Sequence, residues 1–342
     1  MYYSVFNLKK EPFTNTPDPN FLYESKTHKY CLQQLELSIR LKRGLSVVLG
    51  HVGTGKTTLC RRLLNLFYEE KDYIFYLILD PDFDNERDFL KNIYTLFYSK
   101  TPPNSFSNKE LKEHIKNSIL EFAHKQQVPI LLIDEGQKLR PCILECIREF
   151  LNFETNENKL LQVIIFAQEE FFLTIKRMPN FFDRIHIILK LRPLYLWEVK
   201  NFLIFRLRAA GADIFTSKEL FSWPAIFTLY KASKGFPRKL VHIAHKSLLQ
   251  AAISSEPKVK RKQVKTVLKR EKIATPNRKN KFFVYLIIAL FITLACILIM
   301  WKSSSINYFK IGKNIFHKYI IPTQKASPSI PITNFKGLEN EN

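Results

Sequence analysis

A glycine-rich octapeptide between two apolar segments restricts the fold of this chain more than any other sequence feature. Residues 50–57 read Gly-His-Val-Gly-Thr-Gly-Lys-Thr, which is the spacing G-x-x-x-x-G-K-T. Residues 45–49 before it are typical of a buried parallel strand, and residues 58–66 after it are typical of a helix. The glycines let backbone N–H groups turn inward around an anion, at the positive end of the helix dipole. The pattern predicts a phosphate-binding loop rather than a chance glycine-rich turn.

This loop predicts ATP and Mg²⁺ as the cofactors of the chain. We expect Lys56 to reach the outer phosphates and the Thr57 hydroxyl to ligate Mg²⁺. The residues expected around the nucleotide are Gly50, His51, Val52, Gly53, Thr54, Gly55, Lys56, Thr57 and Thr58. His51 is interpreted as a permissive loop position.

A second apolar segment, residues 128–133, is followed directly by Asp134 and Glu135. This order is that of a Walker B strand. We expect Asp134 to hold the Mg²⁺ shell and Glu135 to polarise the water that attacks the γ-phosphate. A sheet strand with a solvated acidic turn is the alternative, but nucleotide binding alone would not require the second carboxylate.

Three further polar residues are candidates for phosphate contact. Gln168 follows the predicted strand 161–166 and is expected to act as a sensor of the γ-phosphate. Arg184 precedes the predicted strand 186–191, and Arg238 lies in the first turn of a predicted helix. Each arginine could contact phosphate.

The alternation of strands and helices predicts an α/β fold, with a parallel sheet that helices cover on both faces. Residues 73–79 add another buried strand. From residue 196 onward the strand pattern stops, and residues 196–210, 217–234 and 237–252 predict a small helical lid. Thr216 and Glu219 fit a capping box for the second of these helices. Such a lid moves with the γ-phosphate, so hydrolysis could be converted into motion.

Residues 282–301 form a run of 20 residues without a charge or a proline, which predicts a single transmembrane helix. The preceding residues 258–281 carry 11 lysines and arginines against one glutamate, within a net charge of +22 for the chain. By the positive-inside rule, the nucleotide-binding part is expected in the cytoplasm of a bacterium, below the inner membrane. Residues 1–13 predict no secretory signal. Anchoring to anionic lipid is the simpler interpretation of the basic segment, and nucleic acid is the alternative.

The five cysteines and eight histidines show no disulfide or zinc spacing. Residues 302–342 contain serine and proline clusters that predict an extended, poorly ordered periplasmic tail.

The chain resembles the general secretion pathway protein A family of AAA+ ATPases, which is best known from type II secretion and related envelope-assembly systems. The resemblance covers about the first 250 residues. It rests on Phe6, Leu8, Pro12, Phe13, Pro17, Asp18, Pro19, Phe21, Leu22, Tyr23 and His28 near the N-terminus, on residues 50–58 and 132–135, and on Asn152, Phe153, Arg184, Arg206, Gly211, Gly235, Pro237 and Arg238. It implies that Arg184 is an arginine finger acting on a neighbouring subunit of a homo-oligomer and that Arg238 is a second sensor. A cap on the preceding helix, or a local ion pair, is the alternative for Arg184.

The sequence and the resemblance together predict six segments. These are an N-terminal signature segment (1–43), an AAA+ domain (44–195), a helical lid (196–257), a basic juxtamembrane linker (258–281), a transmembrane helix (282–301) and the tail (302–342). The resemblance implies an ATPase that drives or regulates assembly of a secretion, pilus or exopolysaccharide export machine, with an envelope-assembly protein as partner. A DNA-handling AAA+ regulator and a nucleotide-gated scaffold with negligible turnover are the alternatives. Many relatives bind peptidoglycan through a larger external region, for which the short tail leaves no room.

Overall fold

The computed structural model describes residues 2–14, 21, 23–155, 158–270, 290, 292 and 293. The chain divides into two units, Met1–Thr275 and Pro276–Asn342. All strands and helices whose bounds are given below belong to the first unit.

The centre of this unit is a five-stranded parallel sheet with the strand order β2-β3-β4-β1-β5. The strands are β1 (Leu45–Gly50), β2 (Tyr73–Ile78), β3 (Val128–Ile133), β4 (Gln162–Ala167) and β5 (Ile185–Leu191). Every residue of β1, β3 and β4 is buried. Continuous apolar runs form these central strands because helices cover both faces of a parallel sheet. The predicted α/β architecture is confirmed for this part of the chain.

Successive residues of β1 belong to two separate hydrophobic cores, as the pleat requires. Val47 packs in a core with α3 to α7, whereas Val48 packs in a core with α1 and α2. The helices are α1 (Lys26–Arg40), α2 (Lys56–Leu66), α3 (Glu86–Tyr98), α4 (Asn108–His124), α5 (Pro141–Phe150), α6 (Phe171–Lys176) and α7 (Pro179–Phe182). The sheet is therefore a middle layer between two layers of helices.

A third core joins the helices after the sheet to the N-terminal segment. These helices are α8 (Leu196–Ala209), α9 (Ile214–Glu219), α10 (Trp223–Ser233), α11 (Pro237–Ile253) and α12 (Arg261–Arg270). Phe6, Leu8, Phe13 and Phe21 are buried in this lid core. The N-terminal segment thus packs on the lid, while α1 packs on the sheet.

The single helix predicted over residues 217–234 is wrong, because two helices occupy this stretch. Phe221 pairs with Val259 in an isolated bridge, and the Ser222 N–H donates to the Val259 carbonyl at 3.0 Å. These backbone groups are consequently not available to a continuous helix, and Pro224 fits the first turn of α10. The predicted capping box at Thr216 is also wrong, since Asp213 caps α9 and accepts from the Thr216 N–H.

The predicted linker 258–281 contains the helix α12. Its apolar side chains Val264, Val267 and Leu268 recur at helical spacing and are buried in the lid core. The basic residues between them hide this pattern when only the charge of the segment is counted.

In the described ranges, which end at residue 270 apart from three later positions, no helix is long and apolar enough to cross a membrane. The predicted span 282–301 lies outside the described residues except for Leu290, Ile292 and Thr293. The predicted tail 302–342 lies outside them entirely.

Candidate nucleotide-binding site

Two helices, α1 and α11, pack closely against the loop between β1 and α2. Gly53 and Gly55 have positive φ angles of 79° and 102°. A Cβ atom at Gly55 would lie 2.5 Å from Nε2 of His28 on α1, and one at Gly53 would lie 2.9 Å from Cβ of Arg238 on α11. Both positions therefore need glycine for conformation and for space.

The ammonium group of Lys56 lies inside this loop. Its side chain is 6% exposed, and Nζ donates to the Gly50 carbonyl at 2.8 Å and to the His51 carbonyl at 3.4 Å. Burial lowers the pKa of Lys56, and the carboxylates of Glu135 and Asp134 partly oppose this shift. The loop thus holds a desolvated cation that phosphate oxygens could contact.

Thr57 and Asp134 form the candidate Mg²⁺ site. The Thr57 hydroxyl donates to Oδ2 of Asp134 at 3.1 Å, which joins the start of α2 to the end of β3. Mg²⁺ is usually held by one or two carboxylates together with waters and substrate phosphates. One hydroxyl and one carboxylate beside the phosphate-binding loop fit that donor set.

Glu135 follows Asp134 with a φ angle of 51°, a left-handed conformation that costs a non-glycine residue about 1–2 kcal/mol. Its N–H donates to Oδ1 of Asp134 at 2.9 Å, and its carboxylate accepts from Nε2 of Gln137. Glu135 and Lys56 line the same cavity. The cavity therefore contains a carboxylate that could accept a proton from water.

Gln168 lies directly after β4, beside the turn that carries Glu135. Its backbone N–H donates to Oε1 of Gln137 at 3.0 Å. Gln168 is connected to Glu135 through Gln137 and is not among the residues that line the cavity. The sequence patterns did not single out Gln137, because no spacing rule marks an amide two residues after a carboxylate.

A cavity of about 530 Å³ continues from the phosphate-binding loop toward the lid. This volume is within the usual range for small-molecule sites. At the phosphate end it is lined by the predicted residues Val52, Gly53, Thr54, Gly55, Lys56, Thr57, Thr58, Glu135 and Arg238. Side chains of the lid core also line it, namely Phe21, Tyr23, Leu194, Phe202 and Val241, and His28 lines it beside Gly55. The aromatic and aliphatic side chains of the lid core suit a nucleobase, and sequence patterns alone did not locate them.

The buried guanidinium of Arg206 fixes the N-terminal wall of this cavity. It donates to the carbonyls of Pro12 at 2.7 Å, Thr14 at 2.8 Å and Phe21 at 3.3 Å. It also lies 4.8 Å from the centroid of the Phe21 ring. The N-terminal signature residues thus shape the cavity through the lid helix α8.

Arg238 lies in the first turn of α11, next to the loop. Its N–H donates to the Gly53 carbonyl at 3.4 Å. The turn before α11 is tied to the end of the sheet, since the Leu194 N–H donates to the Gly235 carbonyl at 2.9 Å. A Cβ atom at Gly235 would lie 2.1 Å from the Leu194 carbonyl oxygen. The lid therefore contacts the phosphate-binding loop through a backbone junction that requires glycine.

His51 lies on the outer side of the loop, half exposed. Its Nε2 is 3.4 Å from Oε2 of Glu169, and its ring meets the edge of Phe236. His51 and Gly50 are not among the residues that line the cavity, although their carbonyls accept from Lys56.

Arg184 lies directly before β5, at the amino ends of the strands, whereas the phosphate-binding loop lies at their carboxyl ends. The six residues of β1 separate the two edges by about 20 Å at a strand rise of about 3.3 Å. Arg184 shares a surface cavity of about 680 Å³ with Lys42, Arg43, Lys159 and His186, and with Glu154 and Asp183. Burial and the nearby Arg184 charge lower the pKa of Lys159. Within one chain, Arg184 is not part of the site around Lys56.

Comparison with known proteins agrees with this arrangement. Residues 39–175 match an AAA domain family. The chain is 33% identical over 266 residues to general secretion pathway protein A of Aeromonas hydrophila, and the aligned part is 76% of this chain and 46% of that protein. The chain thus spans about half the length of this curated relative.

Solved structures of similar fold have low sequence identity to the chain. Cdc6p from Pyrobaculum aerophilum has a TM-score of 0.56 at 17% identity, over 76% of this chain and 70% of that one. A Drosophila ORC structure with bound DNA has a TM-score of 0.57 at 17% identity, over 79% and 66%. These similarities show the fold alone. Together with the family match, they identify a P-loop AAA domain in a chain that is similar to general secretion pathway protein A over 76% of its length.

Proposed function

We propose that this chain is a Mg²⁺-dependent ATPase that works as a membrane-anchored oligomer. The observation that carries the proposal is the grouping of Lys56, the Thr57–Asp134 pair and Glu135 at the phosphate end of one cavity. A protein that only bound nucleotide would not need the carboxylate of Glu135 beside the phosphates.

Each of these residues has one task in hydrolysis. Lys56 and the loop N–H groups bind the β- and γ-phosphates. Thr57 and Asp134 would hold Mg²⁺, which neutralises phosphate charge when it is bound. Glu135 accepts a proton from water as the water oxygen bonds to the γ-phosphorus and the bond to the β-phosphate oxygen breaks. The products are ADP and inorganic phosphate.

The lid would report the state of the phosphates. Arg238 lines the cavity, and its helix α11 contacts Gly53 of the loop. Gly235 and Leu194 connect that helix to the end of the sheet. Contact between Arg238 and the γ-phosphate would close the lid, and loss of the phosphate would release it.

A second copy of the chain would complete the hydrolysis site. Arg184 lies about 20 Å from Lys56 by strand rise, at an exposed edge of the sheet. An arginine in this position serves a neighbour in a head-to-tail assembly, where it stabilises the charge of the transition state.

The cellular role that we propose is to drive or regulate assembly of an envelope secretion, pilus or export machine. The name of the Aeromonas hydrophila relative and the 33% identity support this role. The apolar run 282–301 and the basic residues before it support a single membrane span with the ATPase in the cytoplasm and the tail in the periplasm. An envelope-assembly protein is then the expected partner.

The test measures nucleotide binding and ATP hydrolysis separately in the full chain, with fluorescent ADP and with phosphate release. Lys56→Ala is expected to weaken nucleotide binding by about 100-fold or more, because the charge-assisted contact of its ammonium group with phosphate is lost. Glu135→Gln is expected to bind normally and to hydrolyse about 100- to 10,000-fold more slowly, as for a lost general base.

If the wild-type assembly binds ATP but does not hydrolyse it, this proposal would be wrong and the nucleotide-gated scaffold would be favoured. Salt-sensitive binding of DNA by the wild-type chain, with hydrolysis stimulated by DNA, would favour the DNA-handling alternative.

A further inference from the structure

The side-chain amide of Gln137 joins the two strand ends at which hydrolysis would take place. Its Nε2 donates to Oε2 of Glu135, and its Oε1 accepts from the Gln168 N–H at 3.0 Å. The Gln168 N–H needs an acceptor, so the oxygen end of the amide is fixed toward β4. The donor end must then face Glu135.

The backbone holds Gln137 in this position. Gln137 is the middle residue of the short 3-10 turn Gly136–Lys138, directly after β3 and Glu135. A Cβ atom at Gly136 would lie 2.3 Å from Cγ2 of Ile165 on β4. The turn therefore lies flush against the neighbouring strand, and the amide spans the short distance between the two strand ends.

Glu135 depends on its neighbours for its conformation. Its φ angle of 51° is unfavourable for a residue with a Cβ atom, and such conformations persist only where surrounding contacts hold them. Its N–H is fixed by Asp134, and the Lys138 N–H donates to its carbonyl at 3.0 Å. The bond from Gln137 fixes the carboxylate itself.

We propose that Gln137 is a positioning residue, which aims the Glu135 carboxylate into the cavity and makes its orientation depend on the backbone of Gln168. This inference rests on the proposed function, in which Glu135 is the base. A displacement of the β4 end, where a bound γ-phosphate would be sensed, changes the acceptor bond of Gln137 and with it the orientation of the base. Gln137 itself is not among the residues that line the cavity.

Two substitutions separate the two ends of the amide. Gln137→Glu keeps an oxygen for the Gln168 N–H but places a carboxylate against Glu135. Gln137→Met has a similar length and removes both hydrogen bonds. Gln33→Glu, at an exposed position of α1, makes the same change of charge away from the site. All are measured in the full chain, with fluorescent ADP for affinity and with phosphate release for kcat.

We expect Gln137→Glu and Gln137→Met to lower kcat by about 10- to 100-fold, the effect of a displaced general base, with the affinity for ADP changed less than about 2-fold. Gln33→Glu keeps the wild-type kcat.

Wild-type kcat in both Gln137 variants, with Glu135→Gln inactive, would overturn this inference and leave the proposed function standing. Loss of ADP affinity in both variants would also overturn it, because Gln137 would then support the fold of the loop. Absence of hydrolysis in the wild-type chain would remove the proposed function and this inference with it.

Discussion

The strands of the parallel sheet end at two opposite edges, one formed by their carboxyl ends and one by their amino ends. These two edges differ in the balance of their charges and in the residues that cover them. At the carboxyl ends of the strands, Lys56 lies among the carboxylates of Asp134 and Glu135, under the first turn of α11 and beside His28 of α1. At the amino ends, Arg184 lies in an open surface cavity with three further cationic side chains and two acids. Arg184 and Lys56 therefore lie at opposite ends of the strands of one chain, and in the proposed function Arg184 would act on the nucleotide of a neighbouring subunit.

The largest effect is expected at the amino-terminal edge. Arg184→Ala should lower ATP turnover about 1,000-fold, as for a lost arginine finger, with unchanged affinity for ADP. Mixing Arg184→Ala with Glu135→Gln should restore part of the activity, because a Glu135→Gln neighbour offers its Arg184 to an intact site. Phosphate release from mixtures of the two proteins is the measurement.

Arg177→Ala, at an exposed position beyond α6, is the matched control and should hydrolyse ATP at the wild-type rate. If the mixture stays inactive while wild-type protein is active, the two edges do not meet between subunits.

The metal pair tests the carboxyl-terminal edge alone. Asp134→Asn should raise the Mg²⁺ concentration for half-maximal turnover by about 10- to 100-fold, because a neutral amide replaces the charged ligand. Thr57→Ser keeps a hydroxyl at the same place and should change this concentration little. Titration of turnover with Mg²⁺ at fixed ATP measures both, and equal curves for wild type and Asp134→Asn would exclude Asp134 from the metal site.

The position of α11 over the phosphate-binding loop depends on Gly235. In Gly235→Ala, a Cβ atom would meet the Leu194 carbonyl at 2.1 Å, at a φ angle of 78°. The free energy of unfolding should fall by about 2 kcal/mol or more, and nucleotide affinity should fall with it.

Gly211→Ala is the matched control, with a φ angle of 94° but a contact only to the flexible side chain of Lys9. It should lose about 1 kcal/mol and keep its nucleotide affinity. Urea denaturation followed by circular dichroism gives the free energy of unfolding of both variants. Equal losses of this free energy would show that the contact between Gly235 and Leu194 adds nothing to stability.

The smallest effect concerns His28, whose pKa burial lowers below its ordinary value of 6.5. As the pH falls below 6.5, the unfolded chain takes up this proton before the folded chain does, so stability is lost as the pH falls through this window. His28→Asn removes the titrating group, and its melting temperature should fall less between pH 7.5 and 5.5 than that of the wild type. His186 is exposed at the amino ends of the strands, and His186→Asn should show the same fall in melting temperature as the wild type.

Much of the carboxyl-terminal edge could be predicted from sequence, because its residues are adjacent in the chain to the strands that place them. Lys56, Thr57, Asp134 and Glu135 each lie within a few residues of a strand end. The contact of His28 with Gly55 joins residues 27 positions apart, and only tertiary packing brings them together. Gln137 was not identified for a related reason, since its partner Gln168 follows a different strand and is 31 positions away in the chain.

The lid was predicted less well, because local patterns there compete with tertiary pairing. Residues 217–234 have helical periodicity, but the bridge of Phe221 with Val259 interrupts it. The sequence Ser222-Trp223-Pro224 is a usable signal for a new helix start at this point. The buried face of α12 could have been predicted only by testing for helical periodicity within a strongly charged segment.

The two carbonyl partners of Lys56 have a consequence for the choice of nucleotide. A ligand with a long phosphate chain can offer its own oxygens to the ammonium group in exchange for the carbonyls of Gly50 and His51. A nucleoside monophosphate has no β-phosphate to offer and would leave the lysine with its present partners. The loop should therefore discriminate by the number of phosphates, so that AMP competes poorly with ADP and ATP even when the base is the same.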